Sequence, residues 1–166
     1  MKNLTTKKLC RAGVIAALYA AITFAFSSLS YGPLQIRPAE ALTILPLFFA
    51  ESVPALFVGC LIANLLSPYG FIDIAVGSLV TLIAAVFTRL LKKYPPAGFI
   101  PPIVLNATIL PIVWYFAAGD AAFWLNLISI LLTQTLFIVG LGTPLYFGIK
   151  RAKKSFSLLN DDKIND

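Results

Sequence analysis

The chain has 166 residues, 59% of them hydrophobic and only 12% charged, and a formal net charge of +6; its mean hydropathy is +0.89. Soluble domains are closer to half apolar and a quarter charged, so this composition excludes a soluble fold and indicates an all-α integral membrane protein of one compact domain. The excess of positive charge does not indicate nucleic acid. Every Lys and Arg except Arg37 falls in one of three clusters: Lys2, Lys7, Lys8 and Arg11; Arg89, Lys92 and Lys93; Lys150, Arg151, Lys153, Lys154 and Lys163. Clusters beside apolar runs mark cytoplasmic loops, whereas a nucleic-acid footprint gathers into one exposed stripe.

In chain order, a first span is predicted over residues 9–26. Its basic start and apolar run resemble a secretory signal, but no small-x-small cleavage site precedes SSLSYG, so it is expected to remain as a helix. A polar, turn-rich loop follows, SSLSYGPLQIRP. Residues 39–50 form an apolar segment too short to span without tilt, interrupted by Pro46 and ended by a tight turn at Glu51, Ser52 and Pro54. Residues 55–66 form another short one, closed by SPYG. Longer spans are predicted over 71–91, 99–117 and 122–149, the last loosened by Gly140, Gly142 and Pro144. Residues 151–166 are read as a polar cytoplasmic tail. Six segments put both termini on one side, together with all three basic clusters. The expected placement is the cell membrane, with termini inside and Arg37 outside.

Small residues recur every fourth position on the first helix: Ala12, Ala16 and Ala20, and beside them Gly13, Ala17 and Ala21, with Ala25 beyond. Such stripes permit close helix approach in lipid. One is expected to pack inward and one to meet a partner, with Ala12, Ala16 and Ala20 the first choice for docking.

Of the seven acidic residues, Glu40, Glu51, Asp73 and Asp120 lie near the membrane. Glu51 and Asp120 sit in turns and are expected to reach water. Glu40 opens an apolar helix, where a carboxylate is costly unless it is paired or faces a cavity; favourable placement at a helix N-terminus is its bland alternative. Arg37 is either its partner or a lipid anchor. Uncharged polar residues also lie deep: Asn64, Asn106, Asn126, Ser129, Thr133 and Gln134. Asn126, Ser129 and Thr133 share one helix face and either glue helices together or line a pocket with Glu40. Trp114, Tyr115 and Trp124 belong to an aromatic belt, or one of them stacks on a flat ligand.

No phosphate-binding G-x-x-x-x-G-K-[ST] motif, no histidine and no activated nucleophile is present, so catalysis is not expected. Neither is a metal or other cofactor. Cys10 and Cys60 suit no extracellular disulfide. The chain is also small for a self-sufficient carrier.

The stretch YGPLQIRPAEALTILPLF, Tyr31 to Phe48, with the Ala-x-x-x-Ala first helix, resembles the QueT family, and the core G-P-x-Q-x-R-x-x-E-A-L-T is its most specific part. The resemblance extends over nearly the whole chain. It implies a six-helix transmembrane bundle acting as the substrate-binding S-component of an energy-coupling factor (ECF) transporter. Such a subunit captures a queuosine precursor, a 7-deazaguanine base, from outside. It docks through the first helix on a transmembrane scaffold subunit carrying two ATPase subunits. On that resemblance Glu40 accepts the donor edge of the base, Asn106 or Gln134 complements its remaining polar groups, and Trp114 or Tyr115 covers the ring. Arg37 pairs with Glu40 until ligand displaces it, and Asn126 lies on the pocket face. An S-component for another flat vitamin or nucleobase, or a ligand-free structural membrane protein, is the alternative.

Overall fold

A computed structural model describes residues 6–31 and 34–155. The polar tail from residue 156 onward, Lys2, and Gly32 and Pro33 of the G-P-x-Q motif lie outside the described residues. All regular structure among the described residues is helical. The α-helices are α1 (Thr6–Ala25), α2 (Ser27–Ser30), α3 (Ser52–Ala63), α4 (Ser78–Leu90), α5 (Ile100–Ala117), α6 (Phe123–Thr135) and α7 (Gly142–Ser155). Among the described residues, four helical stretches are long and apolar enough to cross a membrane: Thr6–Ala25, Asp73–Lys93, Pro95–Ala117 and Phe123–Lys154. Two apolar helices are shorter, Pro38–Leu47 and Ser52–Leu66. The last stretch is one continuous run in which α6 passes through π-helical Leu136–Leu141 into α7, and the helix continues to Ser155.

Pro38–Leu47 is the centre of the molecule. It is a 3-10 helix of 10 residues, far longer than the usual single turn. Its sequence accounts for this. Pro46 has no N–H to donate to an α-helical partner, and the Thr43 hydroxyl donates to the Glu40 carbonyl at 2.6 Å. The segment packs against α1, α4, α7 and the Leu136–Leu141 stretch, which buries nearly all of it, Glu40 included. Its carbonyl end is closed by cations from distant helices: Arg89 donates to the Pro46 carbonyl at 3.2 Å and Lys153 to that of Phe48 at 3.3 Å. These bonds satisfy groups that a helix end leaves open.

Around this segment the helices pack in sequence order, α1 on α3, α3 on α4, α4 on α5 and α5 on α6. Close approach of α1 and α3 depends on Gly59. A Cβ there would stand 2.9 Å from the Ala16 carbonyl oxygen and 2.9 Å from the Tyr19 Cβ. Ala16 and Ala20 are therefore buried against α3, and Ala12 is partly buried on the same core. Of the two small-residue stripes, that of Ala12, Ala16 and Ala20 is the one packed inside this chain. The stripe exposed on the surface is Gly13, Ala17 and Ala21, because Tyr19 and Ile15 must turn inward with Ala16.

A correction concerns Glu51. It does not reach water but is 7% exposed and accepts a charged hydrogen bond from Arg11 at 2.6 Å. The Arg11 guanidinium also lies over the Phe49 ring, 4.4 Å from its centroid. Arg11, Arg89 and Lys153, one from each basic cluster, thus converge on the end of the central segment and the turn that follows it.

Candidate functional site

The site forms where the loop of the Tyr31–Phe48 motif enters the core. Gln35 holds φ at +50°, a left-handed conformation that costs a side-chain-bearing residue about 1–2 kcal/mol. Thr133 on α6 donates to the Gln35 carbonyl at 3.3 Å, which ties the strained turn to the bundle. The turn delivers Arg37 inward, where it is only 7% exposed. Its Nε donates to the Ser30 carbonyl at 3.4 Å, and its guanidinium lies 5.2 Å from the centre of the Tyr31 ring.

Arg37 does not pair with Glu40 as expected from their spacing. Its Nη2 stands 3.8 Å from Asp73 Oδ2, within ion-pair range but beyond hydrogen-bond length. Glu40 instead accepts from the Tyr19 hydroxyl of α1 at 2.6 Å through Oε1. Arg37 is the cap residue just outside the 3-10 helix, with non-helical φ −114° and ψ 88°, so helical i, i+3 spacing does not set its side chain over Glu40. Gln134 of α6 lies alongside the Glu40 carboxylate. Three atoms in this group, Arg37 Nη2, Glu40 Oε2 and Gln134 Oε1, are buried with no hydrogen-bond partner. Buried polar atoms are seldom left so.

Asp73 is the acid that sequence reasoning named without giving it a role. It is 2% exposed and opens the π-helical stretch Asp73–Gly77. Trp114 Nε1 donates to its Oδ1 at 2.7 Å, and the Ser67 hydroxyl donates to its Oδ2. Asn64 secures the backbone by donating to the Asp73 carbonyl at 2.8 Å. Tyr19 was missed as well. The signal for both was available: one phenol amid the small residues of α1, and one carboxylate at the start of an apolar helix.

Trp114 is fully buried, with one face stacked on Tyr69. The Tyr69 hydroxyl donates to Asp120 in the loop after α5. Asp120 also accepts from Asn126 Nδ2 at 2.8 Å and from the Ala122 N–H at 2.9 Å. These three donors, Tyr69 foremost, hold the Asp120 carboxyl below the usual carboxylate range. Burial and this carboxylate push the Tyr69 phenol up.

The structure therefore gathers Arg37, Glu40 and Gln134, with Trp114 one contact away through Asp73. Asn126 joins through Asp120 and Tyr69 rather than directly. Asn106 is buried on α5, about two turns from Trp114, and no hydrogen bond joins it to Glu40 or Arg37. Tyr115 is not brought in. It is 48% exposed and contacts Phe116 and Phe123 at the surface, one residue off the buried face of α5. Trp124 is exposed too.

Gln35, Arg37, Leu110, Ile130 and Gln134 enclose a chamber with about 10 Å³ of free space, roughly the room one water molecule needs. No group of three or more metal-ligating side chains occurs among the described residues. The arrangement is suited to gripping a small polar solute by hydrogen bonds, with an aromatic face nearby.

The family model described as "QueT transporter" matches residues 9–151. A protein of Lactococcus lactis subsp. cremoris (strain MG1363), named "Queuosine precursor transporter QueT", is 36% identical over 85 residues, which cover 50% of this chain and 50% of that protein. The match thus spans about half the length of that relative. No solved structure matches the chain.

Proposed function

The chain belongs to the QueT transporter family, and from that premise we propose that it is the substrate-capture subunit of an ECF-type importer for a queuosine precursor, a 7-deazaguanine base. The observation that carries the proposal is Glu40. Its carboxylate is buried in an apolar bundle, one oxygen is held by Tyr19, and the other has no partner. A structural acid would be satisfied on both sides. One acceptor kept free beside Gln134, a residue of the chamber wall, is what capture of a donor-bearing base requires. The family relative's printed name, a queuosine precursor transporter, supports the choice of base.

In this reading all six apolar segments lie in the cell membrane. The convergence of Arg11, Arg89 and Lys153 at one end supports placing that end, and both termini, in the cytoplasm. Tyr19, Glu40, Arg37 and Gln134 then bind the base, and Trp114 covers its ring. The narrow chamber opens to admit it, with Tyr69 leaving the Trp114 face. The exposed Gly13, Ala17 and Ala21 stripe docks on a scaffold subunit, and two ATPase subunits supply energy.

Mass spectrometry of small molecules co-purified with the protein tests the proposal. A 7-deazaguanine base is expected, and its absence from both co-purified ligands and direct binding assays would refute it. Glu40→Gln should weaken binding by about 2–5 kcal/mol, the usual effect of truncating a buried charged hydrogen bond.

A further inference from the structure

At the basic end of the bundle, away from the polar chamber, lies a groove of about 450 Å³, within the roughly 300–1,000 Å³ usual for ligand clefts. Two pieces of chain build it. The 3-10 turn Pro95–Phe99 that leads into α5 supplies Pro95 and Phe99, and the helix running into α7 supplies Val139, Tyr146, Phe147 and Lys150. Positions 139, 146 and 150 fall on one face of that helix. Tyr146 meets Phe99 edge-on, with ring centroids 6.3 Å apart, while Phe147 stands 60% exposed on the open side.

The groove is apolar except at one end. There Lys150 is exposed, with its Nζ 6.0 Å from the centre of the Tyr146 ring. Exposed Lys154 follows one turn later on α7, and exposed Lys92 and Lys93 come just before Pro95. Among the described residues no carboxylate lines the groove and no ion pair holds Lys150. An apolar trough beneath a patch of cations complements an amphiphile with an anionic head. A second copy of this chain would bring the same lysines against them, and a free anion would leave the trough empty.

We infer that this groove holds one anionic phospholipid of the cytoplasmic leaflet. An acyl chain lies along Phe99, Val139 and Phe147, and the phosphate meets Lys150. The inference goes beyond the capture reading, sharing with it only the placement of the basic end in the cytoplasm. It is tested with no base present, so either can fail without the other.

The experiment is native mass spectrometry of the full chain in detergent with equal amounts of dioleoyl phosphatidylglycerol and dioleoyl phosphatidylcholine. The wild type is expected to retain one phosphatidylglycerol per chain, in about fivefold or greater preference to phosphatidylcholine. Lys150→Gln should lower phosphatidylglycerol retention by about fivefold, the equivalent of one lysine's attraction to an anionic surface, and leave phosphatidylcholine unchanged. Lys7→Gln removes the same charge from another basic cluster and should leave both unchanged. Equal loss in the two variants would mean diffuse surface attraction and overturns the site. Glycerol phosphate, which has no acyl chain, should not bind; if it binds as tightly as the lipid, the site is one for a free anion. Equal retention of the two lipids, no retained lipid, or a dimer in place of the lipid complex also overturns the inference. These wild-type arms decide the matter even if a variant does not fold.

Discussion

Trp114 and Tyr69 stack face to face, with ring centroids 4.4 Å apart and planes within 8° of each other. Such pairs contribute about 0.5–1.5 kcal/mol beyond the area they bury. The Tyr69 hydroxyl is in turn tied to Asp120, so the loop after α3 and the loop after α5 close over the indole together. Tyr69→Phe should keep the stack and lose the tie, lowering stability by about 1 kcal/mol. Tyr69→Ala should cost more. Thermal unfolding in detergent measures both, and an Ala variant as stable as the Phe variant would show that the stack contributes nothing.

The same tie predicts a response to acid. Asp120 has a depressed carboxyl in the folded protein, so its contribution to stability is full above the ordinary carboxylate value of about 3.9. It is lost as pH falls through the lower folded value. The stability advantage of wild type over Asp120→Asn should therefore be constant near neutral pH and vanish in strong acid. Melting temperatures of the two proteins across that range test it, and an advantage that grows on acidification contradicts the sign.

Tyr19 and Glu40 join α1 to the central segment by a buried hydrogen bond. Tyr19→Phe strands a second oxygen of Glu40 and should destabilise the protein by about 1–3 kcal/mol. It should also weaken ligand binding, because the carboxylate loses its fixed orientation. Denaturation and titration of the same preparation separate the two effects.

The two faces of α1 should respond oppositely to bulk. Gly59→Val forces side-chain atoms against the Ala16 backbone and should cost about 1–3 kcal/mol or more. At Gly13 a Cβ meets nothing within 4 Å, so Gly13→Leu should leave both melting temperature and ligand binding unchanged. If that stripe docks a scaffold subunit, cellular uptake falls in this variant. Undiminished uptake removes the stripe from docking.

Removing Glu51 leaves Arg11 without its carboxylate beside a segment end where two further cations converge. Glu51→Gln should destabilise by about 1–3 kcal/mol, the range for hydrogen bonds to charged groups. Chemical denaturation checks this, and a neutral result would mean the pair merely offsets its own desolvation.

Much about this protein is a property of the sequence alone. Hydropathy, the gathering of Lys and Arg into three clusters, and the placement of single acids in apolar runs are one-dimensional features. They suffice to mark a helical membrane protein and to single out Glu40, because the energetic penalty for a charge in hydrocarbon does not depend on which neighbour it finds. Pairing does depend on it. Glu40 bonds to Tyr19, 21 positions away, and Asp73 to Trp114, 41 positions away, where spacing suggested Arg37 for the first and nothing for the second. The inward stripe of α1 was undecidable for the same reason, since two adjacent stripes have equal small-residue periodicity. Only the contact with Gly59 fixed the rotation of the helix. Period is written along a chain, but helical phase and long-range partners are chosen by packing, where each close approach excludes the alternatives.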